Sequence, residues 1–168
     1  DADRLVKVYQ AEPGYSRFEP SPAHYRDWRG MNASFEDLGA YAVTSMNLLS
    51  DGEPLRVTGA AGTANLLPTI GAVPLLGRLF SPEEDADGAP GTVILSYGLW
   101  QEAFGGRAAA VGSRIRLDEE SHVVIGVMPR EFTFPDRATR LWTTIRFSPG
   151  LFEDRDNHYL HVIGRLRS

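Results

Sequence analysis

The stretch TVILSYGLWQEAFGG, Thr92 to Gly106, limits what this chain can fold into more than any other segment. A run of apolar, β-prone residues ends at Ser96, and an amphipathic helical pattern begins at the next residue. Gly105 and Gly106 then end the helix. The segment therefore predicts a buried strand that leads directly into a helix. Ser96 is either the cap of that helix or the nucleophile of a strand–nucleophile–helix elbow.

The cap explains Ser96 better than catalysis does. The elbow motif requires a glycine two residues before the serine, and this chain has Ile94 there. A hydrolase would also need a histidine base, and His122, His158 and His161 follow Ser96 without any recognisable loop context. Serine is among the best N-cap residues because its oxygen accepts a hydrogen bond from a free amide of the first turn. We therefore predict a cap at Ser96.

Short strands and hairpins account for much of the remaining pattern. An alternating segment at 4–9 predicts a first strand, and Asp51-Gly52 predicts the turn of a hairpin within 41–59. A second hairpin is expected within 113–129, and short strands at 141–145 and 159–164. The Pro/Gly-rich segment 11–20 predicts a loop, and 57–77 predicts strand and loop. Because no sustained βαβ alternation is present, the pattern indicates an α+β fold with mixed sheets, hairpins and a few helices.

Two helices are expected in the first quarter of the chain. Ser21 as N-cap and Pro22 at the first helical position predict the start of the first helix. Ser34 and Asp37 predict the start of a second, short helix. The first helix carries an apolar face at helical spacing, formed by Tyr25, Trp28 and Met31.

The acidic segment SPEED, Ser81 to Asp85, allows two interpretations. Three neighbouring carboxylates are a feature of metal sites. The same residues also form a helix start, with Ser81 as N-cap, Pro82 next, and Glu84 three residues after the cap as in a capping box. Acidic residues in the first turn also interact favourably with the helix dipole. We therefore predict a capping role.

The histidines were considered as metal ligands. His158 and His161 form an H-x-x-H pair beside two aspartates, and on a helix this pair could chelate a metal ion. The surrounding pattern is that of a strand, where residues three apart point to opposite faces. We predict one exposed and one half-buried histidine, and isolated structural roles for His24 and His122.

Composition excludes several classes of function. The 168 residues contain no cysteine, which excludes disulfides, zinc–thiolate sites and thiol nucleophiles. The net charge is −5 and no basic run is present, so nucleic acid is not an expected partner. No stretch of the sequence is apolar enough to span a membrane, and no P-loop motif is present. The motifs alone indicate an α+β domain without catalytic, cofactor-binding or metal-binding residues, cut from a longer polypeptide.

A family resemblance is carried by five segments in register: GRLFSPEED, VILSYGLWQEAFGG, VGSRIRLD, HVVIGVMPREFTFP and VIGRL. In this order and spacing they resemble the MacB-like periplasmic core domain of ABC-transporter permeases. That group includes FtsX-related and lipoprotein-release permeases. The sequence pattern of this chain is most similar to that of the large bacterial permeases in which the unit is duplicated. The upstream segment SPAHYRDWRGMNASFEDLGAY also fits, so the resemblance runs from Ser21 to Arg167.

The resemblance implies an architecture and a location. The family domain lies outside the cytoplasmic membrane, between a first transmembrane helix and a bundle of three more, so residues 1–168 are expected to be one extracytoplasmic domain fragment. The family fold is α+β with two subdomains. We expect residues 1–64 plus 155–168 to form a porter-like subdomain and residues 65–154 to form a smaller inserted one.

The resemblance also implies a mechanical, non-catalytic role. A separate ATPase subunit hydrolyses ATP in the cytoplasm, the membrane helices transmit the motion, and a substrate outside the inner membrane is exported. The implied partners are a second permease subunit or duplicated half, the ATPase subunit, and an accessory periplasmic protein. Two alternatives stay open: a stand-alone ligand- or protein-binding module that shares the fold, and an esterase-like enzyme acting through Ser96.

Overall fold

The computed structural model describes residues 2–49 and 53–168. The strands in these ranges are β1 (Leu5–Val8), β2 (Gln10–Glu12), β3 (Tyr15–Phe18), β4 (Phe35–Leu49), β5 (Leu55–Gly62), β6 (Leu76–Gly77), β7 (Gly91–Leu95), β8 (Arg114–Leu117), β9 (Glu120–Val127), β10 (Thr139–Thr144) and β11 (His161–Leu166). The α-helices are α1 (Pro22–Gly30), α2 (Leu66–Thr69) and α3 (Tyr97–Phe104). Short 3-10 helices occupy Ala2–Arg4, Pro82–Asp85, Ala108–Ala110 and Pro149–Glu153.

Most of the strands form one mixed sheet. Its order is β1-β11-β4-β5-β10-β7-β9-β6, and β8 pairs with both β4 and β9. The pairs β5–β10 and β7–β9 are parallel and the other pairs of this sheet are antiparallel. Both predicted hairpins are present, as β4–β5 and β8–β9, although the turn at Asp51-Gly52 lies outside the described residues. The fold is α+β, as the sequence predicted.

Six strands close into a ring of hydrogen-bonded neighbours, in the order β4, β5, β10, β7, β9, β8 and back to β4. The closing contact pairs Leu48 with Leu117. The amide of Asn47 also donates to the carboxylate of Asp118 at 2.8 Å. Alternate residues of each strand face inward, as in a small barrel. This first core cluster consists of Met46, Leu48, Val57, Val93, Leu95, Leu99, Trp100, Ala110, Ile115, Leu117, Val124, Val127 and Leu141.

The outer face of the ring is covered as well. Side chains from 66–80 and 128–134 pack on β5, β7, β9 and β10 and form a second core cluster with Trp142. The indole Nε1 of Trp142 donates to the carbonyl of Phe134 at 3.1 Å. All five residues of β7 are buried because both of its faces are covered. This explains why the sequence of β7 is continuously apolar instead of alternating.

Helix α1 packs against β4 and β11 in a third core cluster. The hydroxyl of Tyr25 donates to the carbonyl of Leu38 at 2.8 Å, which fixes the helix on the sheet. The side chain of Ser21 accepts from the amide of His24 at 3.3 Å, so the predicted N-cap is confirmed. The prediction that Met31 lies on the buried face was wrong: the helix ends at Gly30, and Met31 is 74% exposed.

The second helix predicted from Ser34 and Asp37 is absent from this segment, and β4 begins there instead. The side-chain oxygen of Asn32 accepts from the amide of Phe35 at 2.7 Å, and its nitrogen donates to the carbonyl of the same residue at 2.7 Å. The first residues of β4 then pair with β11, with Phe35 opposite Leu166. Pairing with a strand from the far end of the chain thus overrides the local helix signal.

Two further sequence predictions need correction. Segment 11–20, predicted as a loop, contains most of the hairpin formed by β2 and β3. Segment 57–77, predicted as strand and loop, contains β5 and β6 but also the one-turn helix α2. In α2 the side chains of Leu66 and Leu67 are buried against the sheet, so tertiary packing stabilises a helix too short to form alone.

The predicted subdomain division stays a prediction. It would assign β1, β4, β5 and β11 to the porter-like part, and β6 to β10 to the inserted part. The dividing line crosses two strand pairs, the parallel pair of β5 with β10 and the antiparallel pair of β4 with β8. The main sheet therefore continues across the proposed boundary.

Candidate functional site

Ser96 occupies the junction between β7 and α3, and its side chain is used for capping. Its Oγ accepts from the amide of Leu99 at 3.1 Å, and its own amide donates to the carbonyl of Arg140 at 2.8 Å. Gly105 ends α3 in the left-handed conformation, with φ of 63°. In the part of the chain that the structure describes, no histidine is hydrogen-bonded to Ser96. The geometry is that of a helix cap and lacks the base that would activate a nucleophile.

Glu84 forms the capping box predicted for the acidic segment. Its Oε1 accepts from the amide of Ser81 at 2.8 Å and from the hydroxyl of Ser81 at 2.9 Å. The guanidinium of Arg78 donates to the same carboxylate at 2.6 Å. Burial alone would raise the pKa of Glu84, but the hydrogen bonds from Arg78 and Ser81 outweigh burial, so the pKa lies below its usual value.

Asp85, the last acid of the segment, joins distant parts of the chain. Its carboxylate accepts from the amide of Ala64 at 3.0 Å and from the amide of Arg146 at 2.8 Å. The side chain of Arg146 in turn binds Glu120 through two hydrogen bonds of 2.6 and 3.0 Å, and donates to the carbonyl of Ala89 at 2.8 Å. Asp85 and Glu84 thus point to different partners. Within residues 2–49 and 53–168, no group of three or more acidic or histidine side chains could hold a metal ion.

The predicted isolation of His24 was wrong. Its ring stacks on the ring of His158 with centroids 5.9 Å apart, and its Nδ1 lies 2.6 Å from the hydroxyl of Ser21. His158 also contacts the ring of Phe18 and forms a hydrogen bond with the carbonyl of Glu19 at 3.1 Å. No local pattern indicates this contact, because residues 24 and 158 meet only when α1 packs beside the start of β11.

His161 has the half-buried position predicted for one member of the H-x-x-H pair, and His158 is the exposed member. The Nδ1 of His161 lies 3.4 Å from the carboxylate of Glu19, and its ring stacks on Tyr41 with centroids 5.0 Å apart. Burial lowers the pKa of His161, the charge of Lys7 lowers it further, and Glu19 opposes both. His122 is buried with its Nδ1 3.1 Å from the carbonyl of Glu120, a structural role as predicted.

Two apolar grooves lie beside β1. One, of about 470 Å³, runs along residues 5–7 and is bounded by 132–135. The other, of about 400 Å³, lies between Tyr9, α1 and residues 31–35. Large apolar side chains are also exposed away from these grooves, most of all Val73, at 71%. The lining of both grooves consists mostly of apolar side chains.

A third groove, of about 350 Å³, lies at the start of α3 and differs in charge. Three arginines line it, Arg130, Arg137 and Arg140, and none of its lining residues is acidic. We call it the arginine groove. No motif in the sequence predicts this groove, because its arginines are spread over eleven positions without a basic run and approach α3 only in the folded chain.

The sequence was then compared with known proteins. The family model of the MacB-like periplasmic core domain matches residues 1–167. The chain belongs to this family. No match was found among curated proteins. The predicted resemblance, which rested on five segments in register, is therefore confirmed over almost the whole chain.

Solved structures support the fold of this MacB-like core domain. The periplasmic region of MacB from Actinobacillus actinomycetemcomitans is similar at a TM-score of 0.73 and 12% identity, over 99% of this chain and 77% of that one. The extracellular domain of the noncanonic ABC-type transporter YknZ from Gram-positive bacteria has a TM-score of 0.70 at 15% identity, covering 98% and 84%. A domain of a permease protein from Porphyromonas gingivalis has a TM-score of 0.75 at 15% identity, covering 99% and 76%.

These likenesses, at low identity, concern the fold of the MacB-like domain. The family is that of ABC-transporter permeases, and the solved relatives include a periplasmic and an extracellular domain. Among the helices of the described residues, none has the length and apolar character needed to cross a membrane.

Proposed function

We propose that this MacB-like domain is the non-catalytic, extracytoplasmic part of an ABC-transporter permease. In this role it couples ATP hydrolysis by a separate cytoplasmic subunit to the export of a substrate that is already outside the inner membrane. The observation that carries the proposal is the family match over residues 1–167. The fold shared with the periplasmic region of MacB and with the extracellular domain of YknZ supports it.

The chemistry of the side chains fits a mechanical role. Ser96, Glu84 and Asp85, the residues with most resemblance to catalytic or metal-binding groups, each hold backbone or side-chain donors of the same chain. The closed ring of six strands forms a continuous body, because each of its strands is hydrogen-bonded to neighbours on both sides. Such a body can transmit displacement without performing a reaction.

The proposed partners contact surfaces of this body. A second permease subunit or duplicated half would pack against the domain, and an ATPase subunit would act on it through the membrane helices. An accessory periplasmic protein would bind another exposed surface of the domain. We also propose the two-part organisation of residues 1–64 plus 155–168 and residues 65–154. The two parts would meet at the strand pairs β5–β10 and β4–β8, so the ring would contain strands of both parts.

Location can be tested in intact cells because the chain has no cysteine. Single substitutions Val73→Cys and Met31→Cys place a thiol at positions that are 71% and 74% exposed. In the parent permease, a membrane-impermeant maleimide should label both before lysis. Leu99→Cys, at a fully buried position, is the matched control that should stay unlabelled until the protein is denatured. Labelling of the exposed positions only after lysis would contradict an extracytoplasmic location.

Coupling can be tested in membranes that contain the parent permease and its ATPase. Removing the domain should leave the permease inserted but abolish ATP-dependent export, while Ser96→Ala should retain export. Export that continues without the domain would refute the coupling role. Export that is lost in Ser96→Ala, with the protein folded and an ester-cleaving activity lost in parallel, would support the enzyme alternative. A domain that binds a small ligand but lies in no membrane protein would support the binding-module alternative.

A further inference from the structure

We propose that the arginine groove binds an oxyanion of the phosphate type. Its lining combines Arg130, Arg137 and Arg140 with the hydroxyl-bearing residue Tyr97, and no acidic residue is among its lining residues. The carboxylate of Asp136, beside Arg137 in the chain, already accepts from the amide and the hydroxyl of Thr139. The chain as a whole carries a net charge of −5. Three positive side chains around one cavity of about 350 Å³ therefore stand out against the overall charge.

The three arginines of the groove come from two segments. Arg130 follows β9, whereas Arg137 and Arg140 lie three residues apart at the start of β10. Arg130 is held in place, since it lies over the ring of Tyr97 at 4.7 Å and donates to the hydroxyl of that residue at 3.2 Å. Each guanidinium has five N–H donors, so one bond to Tyr97 leaves most of the donors of Arg130 free for a ligand.

The other two arginines differ in how far they are already paired. Arg140 forms an ion pair with Glu102, which is on α3 and is not among the groove's lining residues. Arg137 is exposed and, within the described residues, has no hydrogen bond or ion pair. Its charge is therefore the one most available to a ligand.

The arrangement fits a tetrahedral oxyanion better than a planar carboxylate. One guanidinium fork satisfies both oxygens of a carboxylate, whereas a phosphate group presents three or more oxygens in different directions. Three guanidinium groups from two segments match that need. The shared ligand chemistry is a phosphate group, whether free in solution or on a lipid headgroup.

The start of α3 adds to the positive character of the groove but does not create it. Ser96 occupies only the amide of Leu99, so the amides of Tyr97 and Gly98 have no acceptor within the helix. A Cβ built on Gly98 meets no atom within 4 Å, so the space beside this residue, which lines the groove, is open. A phosphate held by the arginines can therefore also accept from the backbone.

The test is a titration of the isotope-labelled chain with sodium phosphate, followed by amide chemical shifts. Sodium chloride at equal ionic strength is the reference. We expect saturable shifts at Tyr97, Gly98 and Thr139. Arg137→Gln should weaken phosphate binding about tenfold, the usual loss for one charge-assisted hydrogen bond. Arg114→Gln is the matched control, because Arg114 is exposed on β8 and does not line the groove.

Further measurements distinguish free phosphate from a lipid headgroup as the ligand, and they define the results that would overturn the proposal. Glu102→Gln should tighten phosphate binding, because it removes the carboxylate that competes for Arg140. Saturable binding of sodium phosphate would show that a free phosphate group is sufficient for binding to the arginine groove. Binding to phosphatidylglycerol vesicles but not to phosphatidylcholine vesicles, with the same dependence on Arg137, identifies a lipid headgroup. Equal shifts with chloride, equal losses in Arg137→Gln and Arg114→Gln, or no saturable response to either phosphate source would each overturn the proposal.

Discussion

The carboxylate of Asp85 accepts a hydrogen bond at 2.8 Å from the backbone amide of Arg146, 61 residues further along the chain. A second bond of 3.0 Å comes from the amide of Ala64. One side chain thus fixes the end of β5, the acidic helical turn and the end of β10 relative to one another. Because a carboxylate is the common acceptor, its removal leaves both amides without their partner at once.

We predict that Asp85→Ala lowers the free energy of unfolding by about 1–3 kcal/mol, the cost of leaving a partly buried donor unpaired. Asp85→Asn, which keeps one acceptor oxygen, should cost less. Urea unfolding of the isolated chain measures both. Asp87→Ala, at an exposed position two residues away, is the control and should change stability by no more than about 0.5 kcal/mol. Equal stability of Asp85→Ala and the parent chain would show that these bonds contribute nothing.

Ser96→Ala should lower the free energy of unfolding by about 0.5–2 kcal/mol, because the amide of Leu99 loses its acceptor. Ser96→Asp should recover most of this loss, since aspartate is an equally good N-cap. Thermal or urea unfolding of the three proteins provides the comparison. A Ser96→Asp variant no more stable than Ser96→Ala would mean that capping is not the role of this residue.

Gly59 lies where a side chain would enter the core of the ring. A Cβ built there lies 2.6 Å from the Cδ1 of Leu141, so Gly59→Ala should destabilise the chain by about 1–3 kcal/mol through overpacking. Gly30 is the matched position, since a Cβ there meets nothing within 4 Å at the end of α1. Gly30→Ala should be neutral or stabilising. If both substitutions have the same effect on unfolding, the tight packing around Gly59 is not significant.

His161 should make stability depend on pH. Burial lowers the pKa of His161 below its usual value near 6.5. In the unfolded chain this histidine binds a proton as the pH falls below about 6.5, whereas in the folded chain it stays neutral to a lower pH. Its contribution to the free energy of unfolding is therefore complete above about pH 6.5 and is lost as the pH falls toward the folded pKa. His161→Asn should reduce the loss of unfolding free energy between about pH 7.5 and about pH 5.5. Urea unfolding at both values provides the test, and an unchanged loss would contradict the assignment.

Sequence reasoning predicted the parts of the fold that depend on neighbouring residues. The caps at Ser21, Ser81 and Ser96, the hairpins and the strand β7 all follow from signals within a few positions. The parallel pairing of β5 with β10 and the closing contact of β4 with β8 could not be predicted, because they join segments far apart in the chain. The false helix after Ser34 has the same cause, since its residues pair with β11.

The surfaces were harder to predict than the fold. The individual roles of Ser96 and Glu84 were clear from local motifs because each acts on an amide three residues away or nearer. The contact of His24 with His158 and the gathering of Arg130, Arg137 and Arg140 depend on tertiary structure alone. Surfaces assembled from distant segments present this difficulty generally, because their residues have no fixed spacing in the sequence.

Strand β4 is 15 residues long and pairs with different strands at its two ends. Its first half pairs with β11 and its last residues close the ring with β8. At about 3.3 Å per residue it spans up to about 50 Å without interruption. In the proposed mechanical role, a displacement of β11 would pass through its hydrogen bonds to the first half of β4, and along that strand to the pair with β8. Strand β4 would then serve as the lever arm of the domain.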